Sequence, residues 1–391
     1  MNCRGFRAAG VAAGIKKDGE KDLGLIVSEV PANAAGIFTK NRIQAACVLL
    51  DKLRIESGRC SAVIVNSGNA NCCNGEQGMR DAMEMAKSTA KCLGISENLV
   101  LVSSTGIIGV PLPVSKIKAA LPSLVSSSDS KGFSDFAEAI MTTDTVPKTV
   151  SRQGRIKGKI FTVAGIAKGS GMIRPDMATM LCFVCTDIDA NHDFLKRALF
   201  SAAQRSFNRI SVDGDTSTND MILIMANGLS EAAVKDSSQK EYFQNILDDV
   251  LFNLAKKVVK DGEGASKFVE IAARNCLTKT DALKLADTVA NSNLVKTALF
   301  GEDANWGRIL AAAGRANVPL KPEIIDILFN NVLIFTGGVG CGAKAELRAE
   351  KVLKKDEFTI TVNLNLGNQH ASIFTCDFSY DYVRINANYR S

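Results

Sequence analysis

The alternation of short apolar runs and amphipathic stretches along the chain predicts a layered α/β fold. Short runs that are apolar at successive positions and bounded by glycine or charge are typical of buried strands. They occur at residues 24–30, 45–50, 62–65, 99–102, 160–167 and 180–185. Longer segments with apolar residues every three or four positions predict helices at residues 77–93, 133–141, 191–207 and 242–260.

The loop between the last two predicted strands carries residue types that are typical of a catalytic site. It contains Gly169, Gly171 and Pro175, which set unusual backbone angles, and it ends in Ala178-Thr179. A hydroxyl therefore lies just before a buried strand. This suits an enzyme with an N-terminal nucleophile, in which chain cleavage frees an α-amine that acts as general base for the adjacent side chain. The alternative is that Thr179 merely begins a strand, as β-branched residues often do.

Three other positions are candidates for binding or catalysis. Thr105-Gly106 follows the predicted strand at 99–102, where a side-chain O–H and a backbone N–H can point at one atom, as an oxyanion hole requires. A polar turn is the alternative there. Lys168 and Glu263 each lie beside a glycine-rich turn and are candidates for binding charged groups of a substrate, or else are solvated surface charges. The single tryptophan, Trp306, is predicted to serve packing.

The composition is that of an ordinary globular protein and indicates which kinds of molecule the protein binds. The chain has 391 residues, 46% hydrophobic and 23% charged, with a net charge of +6. This length predicts two or three domains or one large one. Because the basic residues are dispersed and aromatic residues make up only 6%, no nucleic-acid partner is predicted, whereas small acidic substrates fit. The eleven cysteines favour buried, reduced thiols in a cytoplasmic protein over a disulfide framework.

Several classes of function are disfavoured by residues that the chain lacks. With only two histidines, a Ser-His-Asp triad is not expected. No paired Cys-x-x-Cys motif suggests zinc, and the polar segment at 211–220 has neither the spacing nor the distal glutamate of an EF-hand, so no metal is predicted. No apolar run has the roughly 18 residues that a membrane span needs, so no membrane partner is predicted either.

Segment 168–187, KGSGMIRPDMATMLCFVCTD, closely resembles the cleavage segment of the ornithine acetyltransferases, the glutamate N-acetyltransferases of arginine biosynthesis. In that family the precursor cuts itself between Ala and Thr. Further similar stretches follow in the family's order from Gly5 to Ser391, with small departures at Asp176 and at Ser266-Lys267. They are NSGNAN at 66–71, STGIIG at 104–109, TTDT at 142–145, SVDGDTSTND at 211–220, DGEGA at 261–265 and the C-terminal CDFSYDYVRINANYRS.

The resemblance implies a fold and a division of the chain. Two β-sheets would be sandwiched with helices in a fold like that of the N-terminal-nucleophile enzymes. Cleavage at Ala178-Thr179 would give fragments 1–178 and 179–391, which stay associated and assemble as a heterotetramer of two each. The resemblance also implies residue roles, with Thr179 as nucleophile and Thr105 and Gly106 as the oxyanion hole. Residues implied in substrate binding are Thr142, Lys168, Thr179, Glu263, Asn386 and Ser391.

The implied reaction is transfer of an acetyl group from N2-acetyl-L-ornithine to L-glutamate through an acetyl-threonine intermediate. No cofactor is expected, and acetyl-CoA is a further candidate acetyl donor. Two alternatives stay open from the sequence. One is an aminopeptidase or amidohydrolase on the same scaffold, with water as the acyl acceptor. The other is a protein without catalytic activity that binds a small acidic ligand through its basic and glycine-rich loops.

Overall fold

A computed structural model describes residues 3–17, 19–174 and 180–388. Strands alternate with helices along most of this part of the chain. The strands are β1 Phe6–Val11, β2 Leu23–Phe38, β3 Arg59–Asn69, β4 Val100–Ile107, β5 Lys148–Ile156, β6 Lys159–Lys168, β7 Leu181–Thr186, β8 Ile210–Ser211, β9 Met221–Ala226, β10 Phe268–Cys276, β11 Asp326–Phe329, β12 Val332–Thr336, β13 Val339–Gly340, β14 Glu357–Asn363 and β15 Gln369–Cys376. The helices are α1 Ala46–Arg54, α2 Gly75–Leu93, α3 Val114–Ser126, α4 Phe133–Ala139, α5 His192–Arg205, α6 Ser237–Lys260, α7 Lys279–Ala290, α8 Asn293–Phe300, α9 Trp306–Gly314, α10 Ala343–Leu353 and α11 Tyr380–Asn388.

The first of two compact units comprises the described residues up to 208 together with 215–258. Its eight-stranded sheet has the order β4-β3-β2-β9-β7-β6-β5, with β1 paired to β2. Helices cover both faces. On one face Phe136 of α4 packs edge-on against Phe183 of β7, with ring centres 5.5 Å apart, and on the other Phe243 of α6 lies 6.2 Å from Phe161 of β6. Strands β7 and β9 are buried along their whole length and, except for Thr186, consist of apolar residues, because the sheet is covered on both sides.

The second unit comprises residues 209–214 and the described residues from 259 onward. Its seven-stranded sheet has the order β13-β12-β11-β14-β10-β15-β8. Helices α7, α9 and α10 pack their apolar residues against this sheet in one core. Together the two units confirm the predicted mixed α/β class and its two β-sheets with helices.

The strands that flank the predicted cleavage loop are neighbours in the first sheet. Strands β6 and β7 pair antiparallel, with Lys168 opposite Leu181. The loop at 169–180 therefore connects two adjacent strands of one sheet. Ala178 and Thr179 lie outside the described residues, as does Ser391. The boundary between fragments 1–178 and 179–391 is thus a predicted chain break within the first unit and not a border between the two units.

One predicted strand is wrong. The apolar run at 45–50 forms the start of helix α1, in which Leu49 and Leu53 are exposed and the positions between them are more buried. A short apolar run does not distinguish a strand from a buried helix. The helical period becomes visible only when Asp51–Arg54 are included, and the buried Asp51 carboxylate accepts the backbone N–H of Val102 at 2.9 Å.

The structure also bears on the state of the cysteines and on the prediction of no membrane span. All eleven cysteines are free, and eight of them are buried, as the scattered apolar pattern predicts. No helix within the described ranges is both long enough and apolar enough to pass through a membrane.

Candidate active site

The predicted oxyanion-hole residues lie inside a strand. The pattern predicts a strand only at 99–102, but β4 continues to Ile107 and pairs in parallel with β3, with Gly68 opposite Gly106. Gly106 has φ +131°, a conformation that favours glycine. A Cβ there would lie 2.4 Å from the carbonyl carbon of Gly68 and 2.6 Å from the backbone nitrogen of Asn69. Gly106 is therefore required for the close approach of the two strand ends.

Replacement of Gly106 by alanine is expected to lower the free energy of unfolding by about 3 kcal/mol or more, because it adds a backbone clash to an unfavourable φ. Gly94 is the matched control, since it has φ +68° but open space where its Cβ would be. Gly94→Ala is expected to cost only about 1–2 kcal/mol. Urea unfolding followed by circular dichroism measures both values, and equal losses would contradict the close-approach argument.

Asparagine side chains form hydrogen bonds that hold the end of β4 in place. Asn219 Nδ2 donates to the carbonyl oxygens of Ser104 and Ala70, each at 2.7 Å. Ser104 Oγ donates to Asn66 Oδ1 at 2.7 Å. The loop after β3 is tied in the same way, since Asn69 Nδ2 donates to the carbonyls of Val110 and Pro111. Asparagine side chains of the NSGNAN stretch thus cap backbone groups, and these contacts fix the position of Thr105-Gly106.

Lys168 brings three of the predicted site residues together. It is the last residue of β6 and is only 8% exposed. Its Nζ donates to Thr142 Oγ1 at 2.6 Å and to Thr105 Oγ1 at 3.3 Å. An ammonium group has no acceptor capacity, so the Thr105 hydroxyl accepts this bond and directs its own proton elsewhere. The cluster thus offers a cation and hydroxyl groups side by side, a combination suited to binding oxygen anions.

A buried carboxylate, Asp144, supports this cation. Asp144 Oδ2 lies 3.7 Å from Lys168 Nζ, and Oδ1 accepts from Lys148 Nζ and from the backbone N–H of Gly169, both at 2.6 Å. The side chains of Asp144 and Lys148 are fully buried. Burial alone would raise the pKa of Asp144, but the ammonium groups of Lys168 and Lys148 outweigh it and hold the pKa well below its usual range. Asp144 is therefore a carboxylate that compensates two buried cations.

In the second unit, two further residues that were predicted to bind substrate are in contact. Glu263, buried in the turn after α6, accepts a hydrogen bond from Asn386 Nδ2 of α11 at 2.8 Å. Gly264 has φ +67°, and a Cβ there would lie 2.5 Å from the backbone nitrogen of Tyr382. Ser379 Oγ donates to the Gly264 carbonyl at 2.6 Å. The DGEGA turn and the start of α11 are thus docked together, which leaves the Glu263 carboxylate oriented by the Asn386 amide.

The predicted site residues fall into three groups. In the first group Lys168 contacts both Thr105 and Thr142, and Gly106 follows Thr105 in β4. In the second group Glu263 contacts Asn386. Ala178, Thr179 and Ser391 lie outside the described residues, so their roles stay predictions.

Two residues of the site were missed from the sequence, Asp144 and Lys148. Asp144 lies inside the TTDT stretch, and a carboxylate between threonines was the one signal that could have pointed to it.

Trp306 and a pair of glycines in the second sheet have structural roles. Trp306 packs against Phe335 with ring centres 5.1 Å apart and donates to Glu346 Oε1 at 3.2 Å, which confirms the packing role. Gly337 and Gly338 form a tight turn with positive φ values between β12 and β13. In the part of the chain that the structure describes, no group of three or more His, Cys, Asp or Glu side chains is arranged to hold a metal ion.

Comparison with known proteins decides the family. A model of the ArgJ family matches residues 7–391. The chain belongs to the ArgJ family. A curated relative from Geobacter sulfurreducens, arginine biosynthesis bifunctional protein ArgJ, is 51% identical over the whole of both chains. The protein of the same name from Bacillus anthracis is 45% identical, covering 99% of this chain and 96% of its own. These matches confirm the resemblance that the sequence motifs indicate.

Two solved structures are also similar to this ArgJ-family chain. The ArgJ protein of Bacillus halodurans is 44% identical, covers 45% of this chain and 92% of its own, and aligns with a TM-score of 0.43. An ornithine acetyltransferase from Mycobacterium tuberculosis, solved in complex with ornithine, is 41% identical with 45% and 94% coverage and a TM-score of 0.41.

Proposed function

We propose that this ArgJ-family enzyme transfers the acetyl group of N2-acetyl-L-ornithine to L-glutamate in arginine biosynthesis, through an acetyl ester on Thr179. The observation that carries the proposal is the Lys168 cluster. Lys168 pairs with Leu181, and Thr179 precedes Leu181 by two positions in the sequence. The Lys168 ammonium group, which is bound to two threonine hydroxyls, therefore belongs to the strand that pairs with β7, and the proposed nucleophile precedes β7 in the sequence.

The chain first prepares its own nucleophile. Hydrolysis of the peptide bond between Ala178 and Thr179 consumes one water and leaves a carboxylate on Ala178 and a free α-amine on Thr179. This amine has an ordinary pKa of about 7.7–8.0, which suits a general base near neutral pH. It accepts the proton of the Thr179 hydroxyl as the oxygen attacks a carbonyl carbon. The fold of the mature enzyme is then one of the N-terminal-nucleophile type.

Acetyl transfer follows in two halves. The Thr179 oxygen attacks the acetyl carbonyl of acetylornithine, and the negative oxygen of the tetrahedral intermediate is stabilised by the Thr105 hydroxyl and the Gly106 backbone N–H. The intermediate collapses, the Thr179 amine returns its proton to the leaving nitrogen, and ornithine departs. The glutamate amine then attacks the acetyl ester, and N-acetylglutamate leaves with the Thr179 hydroxyl restored. No cofactor takes part in this scheme.

The remaining residues hold the charged ends of the substrates. Lys168 and Thr142 bind a carboxylate of ornithine or glutamate, and the Glu263 carboxylate, oriented by Asn386, receives an ammonium group. The family resemblance also assigns Ser391 to substrate binding. Fixing a charged group of the substrate orients its carbonyl carbon for attack, which supplies much of the rate enhancement.

The second acetyl donor, the location and the assembly of the enzyme are part of the same proposal. Acetyl-CoA is a candidate second acetyl donor, which is compatible with the name of the relatives as arginine biosynthesis bifunctional proteins. The reaction takes place in the cytoplasm, where the free thiols of the chain remain reduced. The two fragments assemble as a heterotetramer of two each.

Product analysis tests the proposed reaction. Purified enzyme is incubated with N2-acetylornithine, with and without glutamate, and the products are separated by mass. The expected result is N-acetylglutamate and ornithine in equal amounts when glutamate is present, with little free acetate when it is absent. Acetate released at the same rate without glutamate would identify an amidohydrolase instead. A parallel incubation with acetyl-CoA and glutamate tests the second donor.

Lys168→Met is expected to lower kcat/KM for acetylornithine by about 100-fold, because a buried charge-assisted contact to substrate is lost. Steady-state kinetics measure this loss, with Lys159→Met as the control, since Lys159 pairs with Glu231 on the surface. Unchanged kcat/KM in the Lys168 variant would remove Lys168 from the substrate site.

The sheet order supports lasting association of the two fragments. Strands β7 and β9 belong to fragment 179–391 and lie between β2 and β6 of fragment 1–178, with backbone hydrogen bonds to both. We therefore expect an affinity tag on the first fragment to retain the second through a high-salt wash, with release only in denaturant. Elution of the second fragment in the wash would contradict this arrangement.

A further inference from the structure

Two adjacent cysteines, Cys72 and Cys73, lie in the loop between β3 and α2. Their Sγ atoms are 3.7 Å apart. Cys72 is 1% exposed, whereas Cys73 is exposed and has a positive φ of 60°, which is uncommon for a residue with a side chain. The loop thus places one buried and one accessible thiol in contact, and the acetyl-transfer scheme uses neither.

We propose that Cys72 and Cys73 form a redox-sensitive dithiol, which a peroxide oxidises to a disulfide between adjacent residues, and that this closure lowers acetyl transfer. The Cys73 thiolate attacks one oxygen of hydrogen peroxide, the O–O bond breaks, and hydroxide leaves to give a sulfenic acid. Cys72 sulfur then displaces the sulfenic oxygen, which leaves as water. In total two thiols lose two electrons and two protons, and one peroxide becomes two waters.

Accessibility assigns the order of these steps. Peroxide reaches the exposed Cys73 first, and the contact of 3.7 Å places Cys72 to resolve the sulfenic acid. Burial raises the pKa of the Cys72 thiol, which suits it to the second step rather than to the first encounter with an oxidant.

Closure of the disulfide requires the backbone of the loop to change. Adjacent Cα atoms are about 3.8 Å apart across a trans peptide, whereas disulfides usually join Cα atoms about 4.4–6.8 Å apart. The eight-membered ring formed by two adjacent cysteines therefore twists the peptide unit between them, whose carbonyl belongs to Cys72. The dithiol and disulfide states consequently differ in the position of that carbonyl.

This carbonyl is tied to the segment that follows the oxyanion-hole residues. The Gly109 N–H donates to the Cys72 carbonyl at 3.0 Å, and the Ala70 N–H donates to the Ile107 carbonyl at 2.9 Å. Asn219 joins Ala70 to Ser104 by two further bonds. Since the loop and β4 are linked at these points, a twist at Cys72 is transmitted to Thr105-Gly106.

The first arm of the test detects the site without measuring activity. Phenylarsine oxide binds two neighbouring thiols through two As–S bonds and releases one water. Native wild-type enzyme is expected to bind one equivalent at this loop, and the Cys72→Ala and Cys73→Ser variants none there. After mild peroxide treatment, the peptide containing both residues is expected to lose the mass of two hydrogen atoms and to resist alkylation. Absence of both the arsenical adduct and the disulfide from the wild type would overturn the proposal.

The second arm, which rests on the proposed acetyl transfer, measures its rate before and after peroxide. The wild type is expected to lose activity about tenfold or more and to regain it with dithiothreitol, because small displacements of catalytic groups are costly. Cys72→Ala, compared with its own untreated rate, is expected to show no reversible loss. Cys92→Ser removes another exposed thiol and is expected to behave like the wild type. Disulfide formation with unchanged activity would overturn the regulatory part alone, and an enzyme without acetyl transfer would still be scored by the first arm.

Discussion

The Thr179→Ala variant is expected to remain one uncut chain and to transfer acetyl groups roughly 10⁴-fold more slowly or not at all. The substitution removes the hydroxyl that attacks the acetyl carbonyl, and without cleavage the α-amine that serves as general base is not formed. Denaturing gel electrophoresis reports the cleavage, and the acetylornithine–glutamate assay reports the transfer.

Thr179→Ser provides the matched control, since it keeps a hydroxyl at the same position and removes only a methyl group. This variant is expected to cut itself and to retain measurable transfer. A Thr179→Ala chain that still turned over at the normal rate would eliminate Thr179 as the nucleophile.

Asp144→Asn is expected to lower the free energy of unfolding by about 3–5 kcal/mol, because it leaves two buried cations without their counter-charge. The Lys148 and Asp144 side chains are fully buried, and Lys168 is 9% exposed at its side chain. Asp135→Asn is the control, since Asp135 pairs with Lys21 on the surface, where ion pairs contribute about 0–1 kcal/mol. Urea titrations compare the two, and similar losses would contradict the buried-charge argument.

The difference in the free energy of unfolding between the wild type and Asp144→Asn is expected to depend on pH. The folded-state pKa of Asp144 lies below its unfolded value of about 3.9 because the two lysines outweigh the effect of burial. The stabilisation is therefore complete above that unfolded value and is lost as the pH falls below it, by about 1.4 kcal/mol per pH unit. The stability gap between wild type and Asp144→Asn is expected to shrink below about pH 4. If the gap widened as the pH fell, the pKa of Asp144 would be raised on folding and not lowered, which would contradict this prediction.

Strands with a long apolar run between glycines or charges were predictable, and α1 was not. The runs before and after the cleavage loop correspond to β6 and β7, because burial on both faces makes a strand apolar at successive positions. The run at 45–50 has the same appearance, but it is the start of α1. There the packing of the helix against β4 decides the conformation, and that packing involves residues remote in sequence.

The candidate site shows a similar division. Thr105, Thr142 and Lys168 were predicted through motifs. Their contacts join the end of β4, the segment before β5 and the end of β6, which are far apart in the sequence. The Asp144–Lys148 pair was missed because a carboxylate and a lysine four positions apart outside a helix have no pattern that indicates burial. Only the three-dimensional structure shows that both side chains are buried and that the Asp144 carboxylate also pairs with Lys168.

The most direct test of the account is the mass of the denatured enzyme after incubation with N2-acetylornithine in the absence of glutamate. The account predicts two fragments, the second beginning at Thr179 and carrying one added acetyl group on that residue. Addition of glutamate is expected to remove the acetyl group and to yield N-acetylglutamate. A single chain that is neither cut nor acetylated, or an acetyl group on another residue, would contradict the proposed mechanism.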